Sequence, residues 1–276
     1  MLHTVDCQST HGTLSPENLQ AFAQDGAILL KGLLTAQHYE PVFQDLHQRI
    51  RLLEAHYGCE PTHLDLDAAA LSERILQLDA MQPGCQSILY DAMNHAPGMH
   101  QFAAQQTLLG VIQTLLSPTV EIHPRYILLM NMPGEEWHLA GWHQDYYYNE
   151  GPESTLTIYA PLQKTNIHNG SLLLALGDHH RGKLAHGEHQ ASTKWHTLPE
   201  QTIASFKRVA AAELNLGDVL IFNSLVPHTA RLNQSHAIRF VINLRYRDLS
   251  ETSFLQDGWR ISPVKSRQAL ARKERG

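Results

Sequence analysis

A helix-buttressed antiparallel β-fold is what this sequence predicts, and three observations carry it. Helical periodicity dominates residues 14–120, short β-rich runs dominate the chain from Arg125 onward, and the last of those runs has one apolar and one charged face. Length and composition agree, since 276 residues of which 43% are hydrophobic can bury one sizeable core. The expectation is a single catalytic domain over 1–276, with a helical part at about 14–120, a β core at about 121–250 and a basic tail at about 263–276.

The helices come first. Ser15 is placed to cap, Pro16 suits a first helical turn, and Leu19, Phe22 and Ala23 mark an apolar face that Asp25-Gly26 ends. Residues 27–31 read as a short strand. Thr35 opens a second helix in which Val42, Phe43, Leu46, Ile50 and Leu53 recur at helical spacing, and further helical patterns cover about 68–78 and 99–116.

Then the period shortens, with β-rich runs at 126–130, 155–160, 171–176, 219–222 and 237–246. In the last of them Ile238, Phe240, Ile242, Leu244 and Tyr246 share one face, while Arg239, Val241, Asn243 and Arg245 share the other. If the greasy face packs on the helices, the mixed face looks into a cavity, where a buried arginine would meet an anionic ligand.

Charge and composition exclude several function classes. A formal net charge of -6, with no Lys/Arg run outside the last few residues, provides no field to gather phosphate backbones, so nucleic acid is not an expected partner. No secretory h-region and no run of roughly 18 apolar residues is present, so no membrane is expected and the protein is read as cytoplasmic. Cys7, Cys59 and Cys85 are too few and too widely spaced for a disulfide framework or a zinc knuckle, and read as reduced thiols. Oligomeric state stays open.

The chemistry centres on His143-Gln144-Asp145. On an extended strand, residues two apart project to the same face, so the imidazole and carboxylate can converge on one metal. Alone, such a pair arises often by chance as a surface dipeptide. His228, at the start of a loop after the run at 219–222, supplies a third ligand. Two imidazoles and a carboxylate make the facial triad of non-haem iron(II) oxygenases, leaving positions for a bidentate 2-oxoacid and for O2. Eleven positions after His228, Arg239 can fork onto a carboxylate; its structural alternative is a salt bridge to a protein carboxylate.

His143-Gln144-Asp145, Asn169-Gly170-Ser171-Leu172, Gly217-Asp218-Val219-Leu220-Ile221-Phe222, Pro227-His228 and Arg239, in this order, resemble the phytanoyl-CoA dioxygenase family. The opening Leu14-Ser15-Pro16-Glu17 to Gly26-Ala27-Ile28-Leu29 looks like that family's N-terminus, so the resemblance covers about 14–250. It implies a double-stranded β-helix, a cupin-like jelly roll with flanking helices, and an Fe(II)- and 2-oxoglutarate-dependent dioxygenase. His143, Asp145 and His228 match the iron ligands, Arg239 matches the residue on the distal 2-oxoglutarate carboxylate, and Gln144 lies beside the site. Asn131 falls where related enzymes place a polar cosubstrate contact, although an Asn satisfying a turn reads equally well. Two positions depart from the family. Ala230 stands where a hydroxyl residue commonly helps hold the carboxylate, so Thr229 or another donor must substitute, and Leu176-Gly177-Asp178-His179 replaces the usual Pro-Gly-Ser-His turn.

The implied reaction is hydroxylation of an unactivated carbon with release of succinate and CO2, with desaturation, epimerisation or cyclisation as alternatives. Halogenation is not expected, because Asp145 fills the coordination position that chloride would need. The acidic chain offers no basic patch for the phosphates of a CoA thioester, so the expected substrate is a small polar metabolite, natural-product intermediate or sugar derivative. Rivals of other classes are a non-catalytic ligand-binding jelly roll and a zinc hydrolase using the histidines at 179–189. Gly, Lys and Gln around His179, His180, His186, Glu188 and His189 favour a solvated lid instead. Tyr146, Tyr147 and Tyr148 read as a pocket wall or as core packing.

Overall fold

Capping and packing chemistry set the helices of the chain. The computed structural model describes residues 1–10, 12–124, 126–136, 139–149, 151–187 and 196–252, so Arg125, Glu188, His189 and the tail at 263–276 lie outside the described residues. After a short helical turn, α1 (Cys7–Thr10), Ser15 Oγ accepts the Asn18 amide at 3.3 Å and Pro16 begins α2 (Pro16–Asp25). Gly26 ends α2 at φ 72, with its N–H on Phe22 O. His38 reaches back to the Thr35 amide (3.0 Å) at the start of α3 (Ala36–His56), and Asp67 takes the Ala69 and Ala70 amides at the start of α4 (Ala68–Met81).

Beyond α4 the chain forms α5 (Cys85–Met93), which periodicity had not marked, then α6 (Pro97–Ala103) and α7 (Gln106–Leu115). The single helical pattern expected over 99–116 is therefore broken in two. The Phe102 and Ala103 carbonyls are taken by Gln105 Nε2 (3.0 Å) and by the Tyr246 hydroxyl (2.6 Å). Side chains satisfy carbonyls that a continuing helix would otherwise use, and the second of them comes from a remote strand. Two short helices, α8 (Asp145–Asn149) and α9 (Glu200–Ala204), interrupt the β part. Among the described residues no helix is long and apolar enough to cross a membrane.

The strands are β1 (Thr4–Asp6), β2 (Ala27–Lys31), β3 (Val120–Ile122), β4 (Ile127–Asn131), β5 (Thr155–Pro161), β6 (Leu172–Ala175), β7 (Val209–Ala212), β8 (Val219–Asn223), β9 (His228–Ala230) and β10 (Arg239–Asp248). Among the described residues the larger sheet runs β1-β2-β8-β5-β10-β3, with β4 also on β10, and the smaller runs β7-β6-β9. All pairings are antiparallel except β1 with β2. Leu29, Leu220, Phe222 and Val241 of the larger sheet cluster with Leu172, Leu174 and Ala212 of the smaller, so the two pack face to face as a double-stranded β-helix. The fold read from the sequence is the fold observed.

β10 has the two faces that its alternation predicts. Ile238, just before it, and Phe240, Ile242, Leu244 and Tyr246 join one core cluster with Leu46 and Ile50 of α3, Leu71 of α4, Leu89 of α5 and Phe102 of α6. The helices therefore close the outer face of the larger sheet and leave its inner face free to build a site.

That closure requires α6 to approach α3 at a glycine. A Cβ on Gly98 would collide with the Pro41 carbonyl and lie 2.7 Å from Asp45 Oδ2, the atom that accepts the Gly98 amide. Gly110, exposed on α7, faces open space. Gly98→Ala is expected to destabilise by about 1–3 kcal/mol through overpacking, lowering Tm by roughly 2–4 °C per kcal/mol. Gly110→Ala is expected to raise stability by about 0.5–1 kcal/mol through helix propensity. Thermal melts of the two variants beside the parent check both signs.

Candidate active site

Two distant segments meet in a single β-bridge. His143 N donates to His228 O (3.0 Å) and His228 N donates to His143 O (2.9 Å), which sets the two imidazoles 4.2 Å apart, centre to centre. The bridge corrects two local expectations. Residues 143–145 form no extended strand, because Asp145 is the first residue of α8, where the Tyr146 amide is drawn to Ser224 O (3.1 Å). His228 begins β9, paired with Leu174 of β6, and does not start a loop. The ligands still converge: one atom each of His143, Asp145 and His228 lie within 4.8 Å of one another, and all three residues are buried.

Hydrogen bonding prepares the three for a cation. His143 Nδ1 lies 2.7 Å from Gly141 O and His228 Nδ1 lies 3.0 Å from Val226 O. A carbonyl only accepts, so each Nδ1 carries the proton and each Nε2 presents a bare lone pair. Burial, and then the neighbouring His228, pulls the His143 imidazole down to about 3, and burial likewise lowers His228. Burial would raise Asp145, but the Arg245 guanidinium, the two imidazoles and the Thr157 hydroxyl outweigh it and hold the carboxyl well below the usual carboxylate range. Arg245 Nη2 donates to both Asp145 oxygens (2.9 and 3.0 Å) and Thr157 Oγ1 donates to Oδ2 (2.6 Å). Arg245 and Thr157 sit directly opposite each other on β10 and β5, so one rung of the sheet orients the carboxylate. Two neutral imidazoles and an ionised carboxylate are the donor set that a divalent transition metal takes, and the site fits one.

The triad opens into a cavity of about 770 Å³, mouth included, walled by Tyr90 of α5, Leu129 and Asn131 of β4, Tyr159 of β5, and Arg239, Asn243 and Arg245 of β10. Arg239 is 1% exposed. Its Nη2 donates to Asn131 Oδ1 (2.6 Å), across the register pair that β10 makes with β4, while Nε and Nη1 have no partner among the described residues. Among the described residues, the salt bridge to a protein carboxylate that would have made Arg239 purely structural does not form. Buried guanidinium N–H groups without an acceptor call for an anion. The Tyr159 hydroxyl is buried in the same cavity with no partner, and its ring centre lies 6.0 Å from Arg239 Cζ. Two such groups fit a carboxylate of 2-oxoglutarate.

Of the residues singled out from sequence, His143, Asp145, His228, Asn131 and Arg239 meet at this cavity, and two others face elsewhere. Gln144, 1% exposed, gives Nε2 to Gly182 O (2.9 Å) and Leu225 O (2.7 Å) and receives the Leu184 amide (2.8 Å). It fastens the His-rich loop. Thr229 Oγ1 donates to Ala140 O (3.1 Å), as alternation along β9 turns it away from the wall that Ala230 lines. His186 stacks on Tyr147 (4.1 Å) and accepts the Gln144 amide (3.2 Å), and burial lowers it to about 4. Among the described residues no second group of metal ligands forms, and Glu188 and His189 of the zinc alternative lie outside them. Tyr148 does wall the cavity, its ring 5.6 Å from His143.

Sequence reasoning missed Thr157, Tyr159 and the role of Arg245. Each stands on the inward phase of its strand, so alternation held a signal for direction, but none for which inward residue would meet the carboxylate.

Comparison with known proteins places this geometry. The family model described as phytanoyl-CoA dioxygenase (PhyH) matches residues 22–241. Among solved structures, EctD from S. alaskensis with 2-oxoglutarate and 5-hydroxyectoine is similar at 22% identity and a TM-score of 0.58, over 86% of this chain and 77% of that one. AviO1 from Streptomyces viridochromogenes Tue57 is similar at 16% identity and a TM-score of 0.54, over 87% and 98%. The nickel complex of the non-heme monooxygenase ThoJ is similar at 17% identity and 0.53, over 83% and 76%. The likenesses to solved structures speak for the fold, and the family match, spanning most of the helices and of the β core, carries the rest: the chain belongs to the phytanoyl-CoA dioxygenase family and is an Fe(II)- and 2-oxoglutarate-dependent oxygenase.

Proposed function

We propose that this enzyme hydroxylates an unactivated carbon of a small polar metabolite, natural-product intermediate or sugar derivative, using O2 and releasing succinate and CO2. His143, Asp145 and His228 hold the iron, and Arg239 holds the distal carboxylate of 2-oxoglutarate. The observation that carries this reading is the open, buried Arg239 guanidinium in the same cavity as the triad. Iron with 2-oxoglutarate and O2 supplies the oxidising power to break an aliphatic C–H bond. The protein's own contribution is placement. Asn131 fixes Nη2 of Arg239, and Tyr159 offers the hydroxyl that Ala230 cannot. The Arg245–Thr157 rung fixes the Asp145 oxygens, and Leu129, Tyr148 and Phe222 help keep water from the remaining wall.

His143→Ala and His228→Ala are each expected to abolish stoichiometric Fe(II) binding and succinate formation. Metal analysis beside succinate detection tests this, and full iron content with normal succinate in either variant refutes the ligand set.

Removing one partner of a buried charged pair costs about 2–5 kcal/mol, so Arg239→Ala should weaken 2-oxoglutarate binding by roughly 30-fold to several thousand-fold. Tyr159→Phe loses one hydrogen bond to a charged group and should weaken it by roughly 10- to 100-fold. Both are read by titrating 2-oxoglutarate into Fe(II)-loaded protein under nitrogen and following the metal-to-ligand charge-transfer band. Unchanged affinity in Arg239→Ala would assign that residue a structural role.

The lowered histidines fix a pH dependence. Because burial holds the His143 imidazole neutral and lowers His228 in the same direction, acid competes less with metal, and metal affinity should fall more shallowly from pH 8 to about 5.5 than at ordinary imidazoles. Two ordinary imidazoles would lose about a hundredfold over that span. The metal-free protein pays instead: below about pH 6.5 the unfolded chain binds protons that these buried rings refuse, so stability falls by up to roughly 1.4 kcal/mol per pH unit per histidine. Chelator competition and urea melts across the range check the two trends.

A further inference from the structure

β10 carries a second buried guanidinium into the cavity, and the reading above uses only one of its nitrogens. Arg245 is 6% exposed and lines the cavity; Nη2 serves both oxygens of Asp145, whereas Nε and Nη1 have no partner among the described residues. Beside it Asn149 gives Nδ2 to the Asp145 carbonyl (2.8 Å), which fixes the amide's orientation and leaves a buried acceptor, Oδ1, without a donor among the described residues. Asn149 also lines the cavity. Open donors of positive charge and an open acceptor thus flank the same metal ligand.

The charges decide what belongs there. Among the described residues the cavity wall carries Asp145, Arg239 and Arg245 as its charged side chains. A divalent iron and the dianion of 2-oxoglutarate cancel each other, and Asp145 cancels one arginine. One positive charge remains in a buried place, where it is costly unless an anion meets it. That surplus belongs to the site as a whole; Arg239 is the arginine that the cosubstrate contacts, and Arg245 is the one that keeps open N–H groups beyond its bonds to Asp145, so it is where a further anion can be held. A monoanion closes the balance, and a phosphate dianion would overshoot it.

We propose that the substrate is a small carboxylic acid, its carboxylate on the open N–H groups of Arg245 and an amino or hydroxyl hydrogen on Asn149 Oδ1. The assignment rests on the iron and 2-oxoglutarate reading and narrows its substrate class. It also fixes where the substrate is attacked. Because Arg245 touches the metal-binding carboxylate itself, a carboxylate bound to it lies next to the metal position, and the carbon presented there is only a few bonds from the carboxyl group.

The test uses Fe(II)-loaded wild-type enzyme with 2-oxoglutarate under nitrogen. The probes are small amino and hydroxy acids, each matched with its primary amide and with the corresponding phosphate monoester. Binding is read as a shift of the charge-transfer band and of the thermal transition, and succinate formation follows on admitting air. At least one acid should bind and trigger succinate, with its amide roughly thirtyfold weaker or worse. Arg245→Gln, with its iron content measured separately, should erase the difference between acid and amide. Amides or phosphate esters that bind as well as the acids, or no acid binding to an enzyme that takes up 2-oxoglutarate normally, would overturn the proposal and leave Arg245 as a support for Asp145 alone. If 2-oxoglutarate itself fails to bind, the cosubstrate reading fails first and this assignment goes with it. The matched pairs on wild type decide the matter even if Arg245→Gln folds poorly.

Discussion

The buried pairing of Asp145 with Arg245 is the interaction on which the site depends. A carboxylate taken out of water beside two imidazoles would rather be neutral, and a neutral carboxyl is a poor metal ligand. Arg245 keeps it ionised, and Thr157, directly across the sheet, fixes one oxygen so that the other faces the imidazoles. The arrangement costs desolvation of two charges, and it is tolerable because β10 and β5 deliver both donors from regular, fully hydrogen-bonded backbone.

That delivery explains why β10 is the organising strand. Its outward residues bury themselves against the helices and its inward residues make the cavity wall, so each half of the fold depends on the other through one ten-residue strand. Tyr246 ties the two layers again, ending α6 with its hydroxyl. A helix boundary in the first half of the chain is thereby written in the last strand.

Much of this was readable in the residues, and for physical reasons. Period-two alternation in β10 separated its two faces, and the residue types of His143, Asp145, His228 and Arg239 limited the chemistry before any contact was known. What stayed hidden was either too short or too remote. β1, β3 and β9 have three residues each, too few to display a period. The break between α6 and α7, the turn of Asp145 into a helix, and the meeting of Arg245 with Asp145 are set by partners a hundred residues away or by bonds to another segment, which no local window contains. The hydroxyl missing at Ala230 could be noticed from sequence; that an unpartnered Tyr159 stands in the cavity could not.

Gln144 lies between two metal ligands, yet its side chain bonds the stretch from Gly182 to Leu184 and Leu225. That loop is therefore bolted to the turn of chain that carries two of the metal ligands. Any force that pulls the loop away is felt at once by the ligands on either side of the bolt.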